Sequence, residues 1–124
     1  MALASDDLPK LVKQGRSARL DWLPENAAPD ALAAIITAMA NHQGGLLIVG
    51  VVGPSGALVG VRDTLSAEDR MLQAMLMVEP RLVIPVPQTL RLFDRAYVIL
   101  DVPPGLPHVY ALDGRFLTRM GADN

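Results

Sequence analysis

The sequence predicts an α/β chain of the α+β class, with a mixed, mainly antiparallel sheet of about six strands, two long helices and a short N-terminal helix. Three observations lead to this prediction. Residues 29–39 and 65–79 carry apolar side chains at helical spacing. Gly44 and Gly45 end the first of these helices and lead directly into an apolar run. The remaining apolar residues form short runs between turn sequences, which is typical of strands in adjacent hairpins.

The N-terminal quarter predicts one short helix and one strand. Apolar residues at helical spacing lie within 8–12, Ser5 or Asp6 can cap the helix, and Gly15 can end it. Residues 17–23 then alternate between polar and apolar side chains. This alternation predicts a half-buried strand.

The clearest helix in the sequence is 29–39, which begins with Pro29 in the position that proline favours. Residues 46–52 follow it and are apolar on both faces, so we expect a central strand. Residues 53–56 contain two glycines and a proline, and they predict a turn. Residues 57–61 then return as the hairpin partner.

The second long helix is predicted at 65–79, with Ser66 as its cap and Pro80 just beyond its end. Residues 82–87 contain two prolines, which lack the amide hydrogen that a central strand must donate. We therefore expect this segment to pair only at a sheet edge.

The last third of the chain predicts two hairpins. Strands at 89–93 and 96–102 flank a turn at Asp94 and Arg95. A proline-rich loop at 103–107 separates them from a closing hairpin, 109–112 and 115–119.

Length and composition restrict the possible functions. The 124 residues are one ordinary domain, 1–124. Without cysteine, the chain has neither disulfides nor thiolate metal ligands. The net charge of −2 argues mildly against nucleic-acid binding, unless arginines cluster on one face, because phosphate neutralisation carries most of that affinity.

Hydropathy bears on location and assembly. Half of the residues are hydrophobic (51%), which leaves apolar surface for a subunit interface and predicts a homodimer. No secretion signal stands at the N-terminus, and no apolar run approaches the length of a membrane span. We therefore expect a soluble, cytoplasmic protein with no membrane partner.

Residues 38–51 resemble the core of the Schlafen AlbA_2 domain, whose signature reads roughly Ala-Phe-Ala-Asn-x-x-Gly-Gly-x-Leu-x-Ile-Gly-Val. Gly60 and Val61 match the end of the family's next hairpin, and 106–108 match its proline-containing loop. Residues 116–124 match its terminal Tyr-x-Arg-x-Gly-x-x-Asn motif. The resemblance covers almost the whole chain. It implies an AlbA_2-like α+β fold and nucleic-acid binding, with DNA favoured over RNA.

The resemblance also bears on catalysis. In family branches that act as nucleases, cleavage is attributed to two glutamates flanking the first strand and an acid after the Gly-Val strand. Arg16, Asp21 and Val52 occupy these positions here. A single aspartate does not form a metal site, and Arg16 would repel a cation. We therefore expect no catalytic residue, no metal and no cofactor.

Five basic residues form the candidate phosphate-contacting surface. Arg115 and Arg119 are four apart in the predicted last strand, so they should project to the same face. Arginine suits phosphate because its planar guanidinium is weakly hydrated. The full set is Arg119, Arg115, Arg16, Arg19 and His108. Two alternatives stay open: the arginines form an ordinary solvated face, or Arg119 pairs with Asp21 across the sheet.

The sequence thus favours a nucleic-acid-binding domain without catalytic activity, either a regulator or a module of one. One alternative is an oligomerising scaffold that does not bind nucleic acid. The other is a degenerate, carboxylate-dependent RNA nuclease.

Overall fold

The computed structural model describes residues 7–121, so the predicted caps Ser5 and Asp6 and the last three residues of the terminal motif lie outside the described residues. The elements follow in the order α1 (Asp7–Gln14), β1 (Leu20–Leu23), α2 (Pro29–Ala40), β2 (Gly45–Val49), β3 (Val51–Val52), β4 (Ala57–Leu58), α3 (Thr64–Leu76), β5 (Val78–Glu79), β6 (Gln88–Leu92), β7 (Arg95–Val102) and β8 (Ala111–Leu112). None of the helices within 7–121 has the length and apolar content of a membrane span.

The main sheet has four strands in the order β1-β2-β7-β6. β1 and β2 are parallel, while β7 runs antiparallel to both of its neighbours. Two short antiparallel ribbons, β3–β4 and β5–β8, complete the strands of the described chain. The α+β class and the mixed, mainly antiparallel pairing are confirmed. The difference is that the predicted strands divide between one sheet and two ribbons.

Apolar side chains cover both faces of the main sheet. Along β7, Val98 and Leu100 belong to the core beneath α2 and α3. Tyr97 and Ile99 point to the other face, where they join the core that contains α1 and the buried Trp22. The alternation explains why β2 is apolar on both faces: each face packs against its own core.

Gly50 divides the predicted strand 46–52 into β2 and β3. Its φ of 115° turns the chain out of the main sheet, and its carbonyl accepts hydrogen bonds from the amides of Val59 and Gly60. A Cβ at Gly50 would lie 3.0 Å from the ring of Tyr97. The chain can therefore leave the sheet here only through glycine.

The second long helix differs from the prediction at both ends. Its N-cap is Asp63, whose carboxylate accepts from the amide of Ser66 at 3.0 Å, so the predicted cap Ser66 is the donor. The helix ends at Leu76 because Val78–Glu79 pairs with β8. The predicted edge strand at 82–87 is wrong, because no strand forms there. The two prolines remove the amide donors that even an edge strand uses for pairing.

The predicted closing hairpin, 109–112 with 115–119, is largely wrong. Leu112 and Arg115 form a single bridge, and residues 116–119 are not a strand. Strand β8 pairs with β5 instead. Residues 116–119 are held instead by hydrogen bonds from the side chains of Asn41 and Arg119, which belong to the candidate site.

Candidate nucleic-acid interface

Strand β1 is an edge strand whose outward backbone groups are bonded by neighbouring residues. The amide of Ser17 donates to the Leu20 carbonyl at 2.9 Å. The amide of Trp22 donates to Oδ1 of Asp21 at 2.7 Å. The carbonyl of Trp22 accepts from Nη2 of Arg16 at 3.0 Å. A bonded edge does not recruit another strand. The surface beside β1 therefore presents side chains to a partner, not backbone groups.

Asp21 lies between two arginines at this edge. Its Oδ1 is 2.9 Å from Nε of Arg16, and its Oδ2 is 2.9 Å from Nη1 of Arg119. The Arg119 side chain has no exposed surface, whereas that of Arg16 is 33% exposed. Two guanidinium groups and one carboxylate give the cluster a net charge of +1. The excess positive charge reaches solvent through Arg16.

Arg16 is held in one orientation by three contacts. Besides its bonds to Asp21 and to the Trp22 carbonyl, its Cζ lies 4.9 Å from the centre of the Trp22 ring. The ion pair and the hydrogen bond engage two of the three nitrogens of the guanidinium, Nε and Nη2. The remaining N–H donors belong to a side chain that is 33% exposed and whose orientation is already fixed. Such preorganisation lowers the entropy lost on binding an oxyanion.

Arg119 was predicted to contact phosphate, with pairing to Asp21 as an alternative. The structure shows the alternative: Arg119 pairs with Asp21. It also donates from Nη2 to the carbonyl of Ser17, which ties the terminal segment to the start of β1. A guanidinium with no exposed surface cannot contact a phosphate while this pair is intact. Arg119 therefore positions Asp21 and, through it, Arg16.

The other predicted residues are exposed. Arg19 directly precedes β1, and its amide donates to Oγ of Ser17 at 3.2 Å. His108 packs edge-on against Tyr110, with ring centres 6.0 Å apart. Arg115 follows the turn after β8. Because residues 116–119 are not a strand, the expectation that Arg115 and Arg119 share a strand face is wrong: Arg115 is exposed and Arg119 is buried.

The structure thus brings Arg16 and Arg119 together on Asp21. Arg19 lies between Arg16 and Asp21 in the sequence. His108 and Arg115 lie on the segment that follows β7.

Asn41, the C-cap of α2, holds that segment in place. Its Nδ2 donates to the carbonyls of Tyr110, at 2.7 Å, and Leu117, at 2.6 Å. Its Oδ1 accepts from the amide of Tyr110 at 2.6 Å. One amide side chain therefore fixes both ends of the segment that carries Arg115. The sequence indicated only the end of a helix here, although asparagine is a side chain that can donate and accept at once.

Gly44 and Gly45 allow the chain to approach β1 and β7 closely. A Cβ at Gly44, where φ is 73°, would lie 2.3 Å from the Val102 carbonyl oxygen. A Cβ at Gly45 would lie 2.8 Å from the carbonyl oxygen of Arg19. The double glycine therefore sets the backbone position of Arg19 as well as the start of β2.

The electrostatics of the cluster favour an anion over a metal ion. Both oxygens of Asp21 are bonded to arginines, and Val52 presents an exposed apolar side chain. Within residues 7–121, no three His, Asp or Glu side chains are grouped so that they could hold a metal ion. A divalent cation beside Arg16 and Arg119 would be repelled.

Comparison with known proteins gives one family and several solved structures of related fold. The family described as Schlafen, AlbA_2 matches residues 16–124. The N-terminal domain of a RecG-related protein from Nitrosomonas europaea, named for its relation to an ATP-dependent DNA helicase, superposes with a TM-score of 0.73 at 21% identity, covering all of this chain and 92% of that one. No match was found among curated proteins.

The second related fold is the DIP2311 protein from Corynebacterium diphtheriae. It has a TM-score of 0.62 and 19% identity, and the match covers 82% of this chain. The chain spans only 20% of that protein. At these identities, both structures show the fold alone.

Proposed function

The chain belongs to the Schlafen AlbA_2 family, and from this premise we propose that it is a non-catalytic nucleic-acid-binding domain. One observation carries the proposal: the cluster of Arg16, Asp21 and Arg119 has a net charge of +1, and it includes two of the three positions at which the family resemblance places carboxylates in nuclease branches. A cluster of that sign attracts the phosphate backbone and repels the metal ion that hydrolysis would need.

The proposed binding surface consists of the exposed basic residues around β1 and on the segment after β7. Arg16 supplies a fixed guanidinium, and Arg19 lies beside it in the chain. Arg115 and His108 extend the surface. Because the whole chain carries a net charge of −2, binding depends on this local concentration of positive charge. Arg119 contributes by holding the cluster together from inside.

We propose DNA as the ligand in preference to RNA. The support is the name of the Nitrosomonas europaea protein, which links the domain to a DNA helicase. The roles as a regulator, as a homodimer and as a cytoplasmic protein remain predictions.

A fluorescence polarisation titration tests the proposal. Duplex DNA and duplex RNA of one sequence are titrated at about 50 and about 200 mM salt, with the unaltered protein and with Arg16→Gln/Arg19→Gln. Arg81→Gln is the matched control, because Arg81 is exposed and lines a separate, apolar groove with Leu72 and Leu76.

We expect the double variant to lower the slope of log affinity against log salt by about 1.8, since each lost phosphate contact removes about 0.9. Arg81→Gln should leave the slope unchanged. Absence of binding by the unaltered protein at about 50 mM salt would contradict the proposal. A slope that is the same in the double variant would exclude this surface as the binding site.

A second candidate function is an oligomerising scaffold, and a stripe on α3 favours it. Leu65, Leu72 and Leu76 lie on one side of the helix and are 77%, 40% and 73% exposed. Exposed apolar stripes of this kind mark protein interfaces. Light scattering after size exclusion would show a dimer that Leu76→Gln dissociates. A monomer at all concentrations would remove the scaffold from consideration.

A further inference from the structure

A groove of about 710 Å³ lies at the edge of the sheet remote from β1, between the 59–62 segment and the turn that joins β6 to β7. Three arginines line it: Arg62, Arg91 and Arg95. None of them was predicted as a site residue, and none belongs to the β1 cluster of Arg16, Asp21 and Arg119. Its volume lies in the range of sites that hold a nucleotide-sized ligand.

The groove is built by the Gly-Val pair that the sequence matched to a family motif. The amide of Val61 donates to the carbonyl of Ala96 at 2.7 Å, which seats this pair against β7. At Gly60, where φ is 87°, a Cβ would lie 3.0 Å from Cβ of Arg95. Only glycine allows this approach without displacing a neighbour, and the approach brings Arg62 beside Arg95.

The three arginines differ in how far they are already engaged. Arg95 donates from Nη1 to the Leu58 carbonyl at 2.6 Å, and its guanidinium also interacts with the hydroxyl of Tyr97. The side chains of Arg91, on the outer strand β6, and of Arg62 are exposed, and neither makes a hydrogen bond or ion pair with a residue within 7–121. The guanidinium groups of Arg91 and Arg62 are therefore more available to a ligand than that of Arg95.

Two carboxylates, Glu25 and Asp94, also line the groove. Oε2 of Glu25 accepts from the amides of Arg62, at 3.0 Å, and Asp63, at 2.9 Å. These amides, followed by the charges of Arg70 and Arg62, hold the pKa of Glu25 below its ordinary value. The charge of Glu25 is thus already balanced by groups of the protein, including Arg70 outside the groove. The remaining lining residues carry an excess of positive charge.

We propose that this groove is a second phosphate-binding site, which takes backbone phosphates of a nucleic-acid strand. The proposal rests on the proposed function, because it assigns the same class of ligand to a second surface. Arg91 and Arg62 contact phosphate, and Arg95 is held by the Leu58 carbonyl to form the wall between them. The β1 cluster and the groove place phosphate contacts on both outer strands of the main sheet.

The test uses the single variants Arg91→Gln and Arg62→Gln, with Arg81→Gln as the control. Each is titrated with duplex DNA at the two salt concentrations, and its melting temperature is measured by circular dichroism. We expect each groove variant to lower the slope of log affinity against log salt by about 0.9. The melting temperature of Arg91→Gln should be the same as that of the unaltered protein. In an NMR titration, the same duplex should shift the amide signals of Gly60, Arg62 and Ala96.

The outcomes separate this inference from the proposed function. If the unaltered protein binds DNA and both groove variants bind with the unaltered slope, the groove proposal is overturned and the function stands. If the unaltered protein binds no nucleic acid, both are overturned. A parallel NMR titration uses inorganic phosphate in place of the duplex. If phosphate shifts the groove amide signals and the duplex does not, the assignment of the groove to nucleic acid is also overturned.

Discussion

Replacing Asp21 with Asn tests whether the buried pair with Arg119 holds the site together. The substitution keeps the shape of the side chain and removes its charge, so a fully buried guanidinium loses its carboxylate. Breaking a buried pair from one side costs about 3–5 kcal/mol. The other partner, Arg16, is one third exposed, and a pair of that kind contributes at most about 1 kcal/mol.

The assay is urea unfolding followed by circular dichroism, with the free energy of unfolding taken by linear extrapolation. We expect Asp21→Asn to lose about 3–5 kcal/mol and Arg16→Gln to lose no more than about 1 kcal/mol. The double variant Asp21→Asn/Arg119→Met removes both buried charges. It should be more stable than Asp21→Asn alone, because no charged group is then left in the interior.

Equal stability losses for Asp21→Asn and Arg16→Gln would refute this reasoning, since the buried partner would then contribute no more than the exposed one. If Asp21→Asn does not fold, the double variant still decides the question. A double variant that is no more stable than the single one would show that the unpaired charge was not the cause.

Three further predictions concern the elements that place the site. Gly44→Ala should lose at least about 2 kcal/mol of stability, because its Cβ would lie 2.3 Å from a carbonyl oxygen. Gly53→Ala, at a similar φ of 75° but in open space, should lose only about 1 kcal/mol in the same urea assay. Asn41→Ala removes three hydrogen bonds and should cost about 2–4 kcal/mol; hydrogen exchange should increase at Tyr110, and unchanged exchange there would contradict the clamp. The lowered pKa of Glu25 means that its charged form stabilises the fold above about pH 4.5, and that this contribution is lost as the pH falls through the lowered pKa. The melting temperatures of the unaltered protein and Glu25→Gln should therefore converge as the pH falls below 4.5. A difference that stays constant as the pH falls from neutral into this acid range would contradict the prediction.

The features that the sequence predicted well are those determined by local residues. Helix α2 and the passage through Gly44 and Gly45 into β2 follow from helix propensity, glycine conformation and an apolar run within one short segment. The second long helix was predicted for the same reason. Its exact cap was not, because Asp63 and Ser66 are both good capping residues and only the backbone geometry distinguishes them.

The features that the sequence missed depend on contacts between distant residues. Asp21 and Arg119 are 98 positions apart, and Asn41 is 69 positions from Tyr110. The sequence predicted 115–119 as one strand of a closing hairpin, but hydrogen bonds from Asn41 and Arg119 hold this segment in another conformation. For the same reason, the sequence did not group Arg62 with Arg91, which line one groove because Gly60 packs against β7.

The most direct test of the account is one titration of duplex DNA with the unaltered protein, carried out at about 50 and about 200 mM salt, with EDTA and with Mg²⁺. The account predicts binding that weakens as salt increases, that is equally strong with EDTA, and that leaves the DNA intact. Binding or cleavage that requires Mg²⁺ would contradict the assignment of Asp21 to two arginines. Absence of binding at the lower salt concentration would contradict the proposed function itself.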